Sequence, residues 1–202
     1  MKLTLELLKL ISLPNKITDF SSIHLLNLFK CSAKNKISLL YLNEVINKDK
    51  ECKFPIASLY KKEQAKYLKV LEASSRVSKI LSEEGVEHAI FKTFRPYPFV
   101  TVDIDILIFG NIENYVRSVK TLQRTGFTLV ARGPNSTTLW DEKANMGIDL
   151  YNQVAVSFVI YIDKEKITSY AINMKLPNGE SISTLKPEAD LACIIAHSVI
   201  KE

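Results

Sequence analysis

Cysteine is scarce, with three in 202 residues, at Cys31, Cys52 and Cys193. An odd number, widely spaced, argues against a disulfide framework and against the paired spacing of a zinc site. Long apolar runs are missing as well. No stretch of eighteen apolar residues occurs, so neither a membrane-spanning helix nor a membrane partner is expected. The opening MKLTLELLKLISLP carries Glu6 and Lys9 within its apolar stretch and lacks a small-residue cleavage site. It reads as a first helix, not a signal peptide. Together these absences point to a cytoplasmic protein. Arginine is rare, 5 against 22 lysines, which weakens any case for bidentate base readout. Internal repeats and low-complexity tracts are absent. What remains is an ordinary globular composition, 47% apolar and 24% charged, long enough to bury a core without a covalent or metal staple.

The net charge of +5 is unevenly placed. Residues 1–70 hold 13 basic against 6 acidic side chains, and residues 71–202 hold 14 against 16. A basic front third beside a near-neutral remainder suits RNA, another polyanion or a nucleotide. A lysine-covered, solvated helix surface is the equally simple alternative.

From residue 1 to about 84 the apolar period is helical. Leu3, Leu7, Leu10 and Ile11 form one face that Pro14 ends. Asp19 or Ser21 can cap a second helix bearing Ile23, Leu26 and Phe29. Ile37, Leu40, Tyr41, Val45 and Ile46 continue the pattern, and NKDKECK reads as a loop. A long helix follows from about Ile56 to Glu84, with Gly85 at its stop.

After Gly85 the period changes to two. EHAIFKT is a short strand, FRPYPF a proline-rich turn, and VDIDILIF a strand of alternating acids and hydrophobes. Asn111 can cap a helix that Gly126 closes. FTLVARG, TTLWDEK and MGIDLYNQV follow as strands, with Asp141 and Glu142 expected at a solvent-facing hairpin end. VSFVIYI is one more apolar segment, and NMKLPNGESISTL a hairpin turning at Asn178-Gly179. The last helix starts at Pro187. No capping glycine follows it, the expectation for a chain that stops inside a helix, as one cut from a longer parent does. The class is α/β or α+β behind a helical, basic region at 1–84. A core at 85–186 and the start of a helical region at 187–202 complete the division.

Asp103-Ile104-Asp105 is the sharpest local feature. Residues two apart in a strand share a face, so both carboxylates project together. Such a pair resists ionisation unless a cation lies between its members, and magnesium is the natural one. The alternative is an edge strand with an acidic solvent face. Three facts favour a site. Phe99, Val100, Val102, Ile106, Leu107, Ile108 and Phe109 make the flanks as apolar as a central strand. A strand ends upstream in Lys92-Thr93 with Arg95 in the turn, and amides, a hydroxyl and cations suit phosphate. Asp149 interrupts another apolar strand, where a lone carboxylate needs a partner.

A strand, a small-residue turn, a D-h-D strand and a later acid on its own strand resemble the nucleotidyltransferase superfamily, whose fold is shared with DNA polymerase beta. The closer resemblance is to a group with a Lys-Gly turn, an arginine, then D-I-D and two hydrophobes. Those elements stand here as Lys92-Thr93, Arg95 and DIDILI at 103–108. The group's acid in an I-D-L-aromatic strand is matched by Ile148-Asp149-Leu150-Tyr151. Its L-x-P-x-x-D-L helix with a later histidine is matched by Leu185, Pro187, Asp190, Leu191 and His197. The match covers roughly residues 75–202. One departure stands out: the glycine of the turn is Thr93, which places a side chain where a glycine lets backbone approach phosphate.

The resemblance implies a mixed sheet flanked by helices and a reaction with two Mg2+ ions and an NTP such as ATP as substrate. It assigns Asp103, Asp105 and Asp149 to catalysis and metal binding, and Lys92, Thr93 and Arg95 to the nucleotide phosphates. The acceptor is an RNA end, a protein hydroxyl or a small molecule. Two other readings stay open: a toxin–antitoxin component acting on a partner protein, and a non-catalytic RNA-binding module with structural acids. His197 and Cys193 read as packed helix residues, His88 receives no role, and Trp140 and Tyr151 read as sheet-face residues.

Overall fold

The structure, a computed structural model, describes residues 2–12, 21–48, 55–156 and 158–201. Pro14, Asp19, Cys52 and most of the NKDKECK loop lie outside them. The chain divides into two compact units, Met1–Lys69 with Arg95–Thr101, and Val70–Phe94 with Val102–Glu202.

Every described element before residue 84 is helical: α1 (Lys2–Ser12), α2 (Ser22–Lys34), α3 (Ser38–Lys48) and α4 (Ile56–Glu83). Ser21 caps α2, its hydroxyl accepting from the His24 N–H at 3.3 Å. In the first unit Leu7, Leu10, Leu25, Leu28, Tyr41, Leu42 and Val45, at helical spacing, meet in one core. Tyr41 is fully buried and donates its hydroxyl proton to the Leu25 carbonyl at 2.8 Å. Helix α4 passes from the first unit into the second, where Val70 onward belongs.

The strands all belong to the second unit. They are β1 (His88–Phe91), β2 (Asp103–Ile108), β3 (Thr128–Arg132), β4 (Ser136–Asp141), β5 (Met146–Tyr151), β6 (Val154–Val156), β7 (Val159–Ile162), β8 (Ala171–Lys175) and β9 (Ser181–Leu185). Seven of them form a mixed sheet in the order β3-β4-β5-β2-β1-β9-β8. Strand β2 is the fourth of seven, antiparallel to β1 and parallel to β5. The acid-bearing strand is therefore central, and the edge-strand alternative falls. Ile104, Ile106, Ile148 and Leu150 are fully buried on one face. That face lies against α5 (Ile112–Arg124), which Asn111 caps by accepting from the Asn114 N–H at 3.1 Å. On the other face Phe91, Leu107 and Val154 cluster with Cys193 of α7 (Pro187–Lys201). No described helix is long and apolar enough to cross a membrane.

Three local expectations are corrected. VSFVIYI is not one segment, because β6 and β7 form a separate two-stranded antiparallel sheet. A short helix, α6 (Lys164–Thr168), stands where the sequence pattern leaves no element. Five residues are too few for helical periodicity to show. Asp141 does not face solvent. Alternation along β4 puts it on the buried face with Leu139, at 3% exposure. There it pairs with the Arg76 guanidinium and accepts from the Lys143 and Ala144 amides at 3.0 and 3.3 Å.

Candidate functional site

The site is built at one end of the central strands. Strand β1 ends at Phe91, which lies opposite Asp105 in the antiparallel ladder. The parallel ladder of β2 and β5 sets Asp103 opposite Gly147 and Asp105 opposite Asp149. Facing residues of neighbouring strands point to the same side, so Asp103, Asp105 and Asp149 share one face. All three are half-buried, while the isoleucines and leucine between them are sealed in the core. The three acids expected from sequence thus share one face of the sheet.

The turn after β1 carries the next two expected residues. Lys92 has φ 59, the left-handed region that costs an L-residue free energy. Its amide donates to Oδ1 of Asp190 at 2.5 Å, a contact that stabilises the turn from the first turns of α7. Its side chain folds back so that Nζ lies 3.5 Å from Oδ2 of Asp105. The ammonium also sits 4.6 Å from the Phe91 ring centroid and 4.7 Å from that of Tyr151. Thr93 is buried, and its hydroxyl is fully engaged. It donates to the Phe91 carbonyl at 3.2 Å and accepts from the Asp105 amide at 3.1 Å. Its single proton is thus committed within the protein, and the hydroxyl fastens the turn to β2. Arg95 falls in the Arg95–Thr101 segment of the first unit, with its guanidinium 4.9 Å from the Phe99 ring centroid.

Burial governs the charge states. It pushes Asp105 up to about 6, with Lys92 opposing, Asp103 adding, the Tyr151 hydroxyl opposing and Asp149 adding. Asp149 is raised by burial, against a hydrogen bond from Thr138, with Asp103 adding and Lys92 opposing. Thr138, its neighbour on β4, donates to Asp149 Oδ1 at 2.6 Å. Tyr151 is raised out of the titrating range, chiefly by burial, and remains a proton donor.

Three carboxylates on one face are a hard, oxygen-only donor set of the kind magnesium accepts, usually one or two of them together with phosphates. Among the described residues, no three His, Cys, Asp or Glu side chains stand gathered around one point. Asp105 is turned to Lys92 and Tyr151, and Asp149 to Thr138. The residues that could hold an ion fit it by chemistry, and Asp105 and Asp149 each have a neighbour that interacts with the carboxylate.

Sequence reasoning missed Tyr151, Thr138 and Asp190 as parts of the site. Tyr151 follows Asp149 by two, so the strand period alone places it on the acid face. Asp190 appears in the helix motif without a role, and Thr138 depends on a cross-strand register that no local signal gives. The remaining candidates are satisfied structural residues. His88 is buried between Ser78 Oγ at 2.8 Å and the Val86 carbonyl at 2.9 Å. His197 Nδ1 lies 3.1 Å from the Tyr161 hydroxyl, and Cys193 is fully buried.

No protein-family model matches this sequence, and no curated protein matches it. Among the solved structures similar to it are two of low identity and partial coverage. One is the lincosamide antibiotic adenylyltransferase LnuA with lincomycin bound, 14% identical with a TM-score of 0.41. That match covers 56% of this chain and 78% of the other. The second is the STING-associated CdnE c-di-GMP synthase from Capnocytophaga granulosa, 15% identical with a TM-score of 0.43. That match covers 86% of this chain and 62% of the synthase, less than two thirds of its length.

Proposed function

We propose that the chain is a magnesium-dependent nucleotidyltransferase that moves a nucleoside monophosphate from an NTP to an acceptor hydroxyl. One observation carries this reading. The β2–β5 register sets Asp105 opposite Asp149 and leaves Asp103, Asp105 and Asp149 on one face at the end of a central strand pair. Bound divalent ions supply Lewis-acid stabilisation of phosphate charge and lower the pKa of the attacking hydroxyl. In this reading Asp103 and Asp105 hold the ion that carries the triphosphate, and the three acids together hold a second. Lys92 brings positive charge to the phosphates. Thr93 acts through the turn it locks, and it reaches a phosphate only by exchanging its bond to Phe91. The acceptor oxygen bonds to the α-phosphorus as the bond to the bridging oxygen of the β-phosphate breaks, and pyrophosphate leaves with that electron pair. In this reading the hydroxyl proton passes to a carboxylate of the same face, Asp149.

In this reading the catalytic core is 85–186, with 1–84 as a helical accessory region and 187–202 as a C-terminal helical part. The excess of lysine in the front third supports a polyanionic acceptor such as an RNA end in a cytoplasmic setting. Thermal stability with each of the four NTPs, with and without Mg2+, tests the reading on wild type and on Asp103→Ala/Asp105→Ala. Ligand at a hundred times its dissociation constant adds about 2.7 kcal/mol, which in a chain this size is several degrees. One NTP should give a magnesium-dependent shift that the double variant lacks. No shift with any NTP would remove the catalytic reading.

A further inference from the structure

Lys92 does more in this structure than wait for a phosphate. Its backbone is held in the left-handed region by the Asp190 carboxylate, which consumes its amide. The side chain turns back over the sheet, where the ammonium lies beside two aromatic rings and against Asp105. The side chains of this pair are only 9% and 15% exposed. An ion pair so far out of water is screened little by salt. The surrounding acids, Asp103 and Asp149, both interact electrostatically with Asp105. A cation is therefore already built into the acid face.

We propose that Lys92 is the resident counter-cation of the Asp103–Asp105–Asp149 face, and that a divalent cation binds there by displacing its ammonium from Asp105. Asp190 is the positioning residue of this device, because it fixes the turn from which the lysine reaches the acid. The inference rests on the reading of the three acids as a metal-holding set. Its consequence is a thermodynamic coupling. A nucleotide triphosphate that draws the ammonium to its own phosphates vacates Asp105, so nucleotide and metal each raise the affinity for the other. The lysine then has two successive partners, a carboxylate at rest and phosphate when substrate is bound.

The test is Mn2+ titration of the nucleotide-free full chain by isothermal calorimetry at fixed pH and ionic strength. Lys92→Met keeps an apolar stem beside the rings and removes the charge. It should bind Mn2+ about tenfold more tightly than wild type, within the usual range of coupling between sites. Lys92→Gln provides the same measurement if the methionine variant does not fold. The exposed Lys143→Met serves as the control for net charge and should change the affinity less than twofold. Equal or weaker Mn2+ binding by the Lys92 variants overturns the inference alone, as does an equal gain in the Lys143 control. Absence of Mn2+ binding by wild type and variants alike overturns the metal-holding reading of the acids, and the inference with it.

Discussion

Thr93 stands where the resembled group has glycine, and the structure shows what the side chain does there. One hydroxyl closes the turn onto Phe91 and anchors the amide of Asp105, the acid at the centre of the cluster. Thr93→Val keeps the shape and deletes both bonds, stranding a part-buried amide. The expected loss is about 1–3 kcal/mol of unfolding free energy, read from urea denaturation. A loss too small to resolve would show that the turn holds without the hydroxyl. His88 makes a different prediction at the same scale. Its Nδ1–H donates to Val86, its Nε2 accepts from Ser78, and burial lowers its pKa below the ordinary 6.5. The unfolded chain takes up this proton near 6.5, while the folded chain resists it. His88 therefore contributes in full above 6.5, and that contribution is lost as the pH falls from 6.5 through its folded value. Wild type should lose stability more steeply than His88→Gln between pH 7.5 and about 5 in paired denaturant titrations.

Elements are joined in the second unit by polar contacts that local patterns do not announce. Arg76 of α4 reaches the buried Asp141 at the end of β4 and also lies 5.8 Å from the Phe127 ring centroid. Removing the guanidinium leaves Asp141 with two amides and no counter-charge. Arg76 is itself 31% exposed, which discounts the loss from that of a fully buried pair. Arg76→Ala should cost about 2 kcal/mol in chemical denaturation. A cost below about 0.5 kcal/mol would mean that the amides alone satisfy the carboxylate. The cap of α5 is a smaller and more local case. Asn111→Ala removes one acceptor at the helix start and should cost about 1 kcal/mol, whereas Asn111→Ser should retain most of it.

At the scale of the whole molecule, the basic excess and the candidate acids occupy different stretches of the chain. The basic excess lies in residues 1–70, and the three acids lie after residue 100. If the basic region serves a polyanion, the two properties separate in one protein. On the proposed reading, the Asp103→Ala/Asp105→Ala/Asp149→Ala variant should lose nucleotide transfer. It should keep an affinity for single-stranded RNA that falls linearly with the logarithm of salt concentration. Fluorescence anisotropy over a salt series reads the second property, and radiolabelled NTP incorporation the first. RNA affinity that is absent at low salt would assign the lysines to a solvated helix surface instead.

Much of this arrangement is written in local order. Period-two alternation puts Asp103 and Asp105 on one face, and apolar flanks make β2 a central strand, because both follow from backbone geometry and burial over a few residues. Helix starts at Ser21, Asn111 and Pro187 are equally legible, since a cap or a first-turn proline acts within one turn. Register is another matter. That Asp105 meets Asp149, and Asp149 meets Thr138, depends on how strands far apart in sequence slide against each other, which the whole sheet decides. The bond from Lys92 to Asp190 spans 98 positions. It exists because β1 and β9 run parallel, which brings the turn after one and the helix after the other to the same end of the sheet. The sequence alone put Asp103, Asp105, Asp149 and Lys92 forward as the candidates for chemistry. Only the tertiary structure decided which of them touch, because strand register and parallel topology are properties of distant segments packed together.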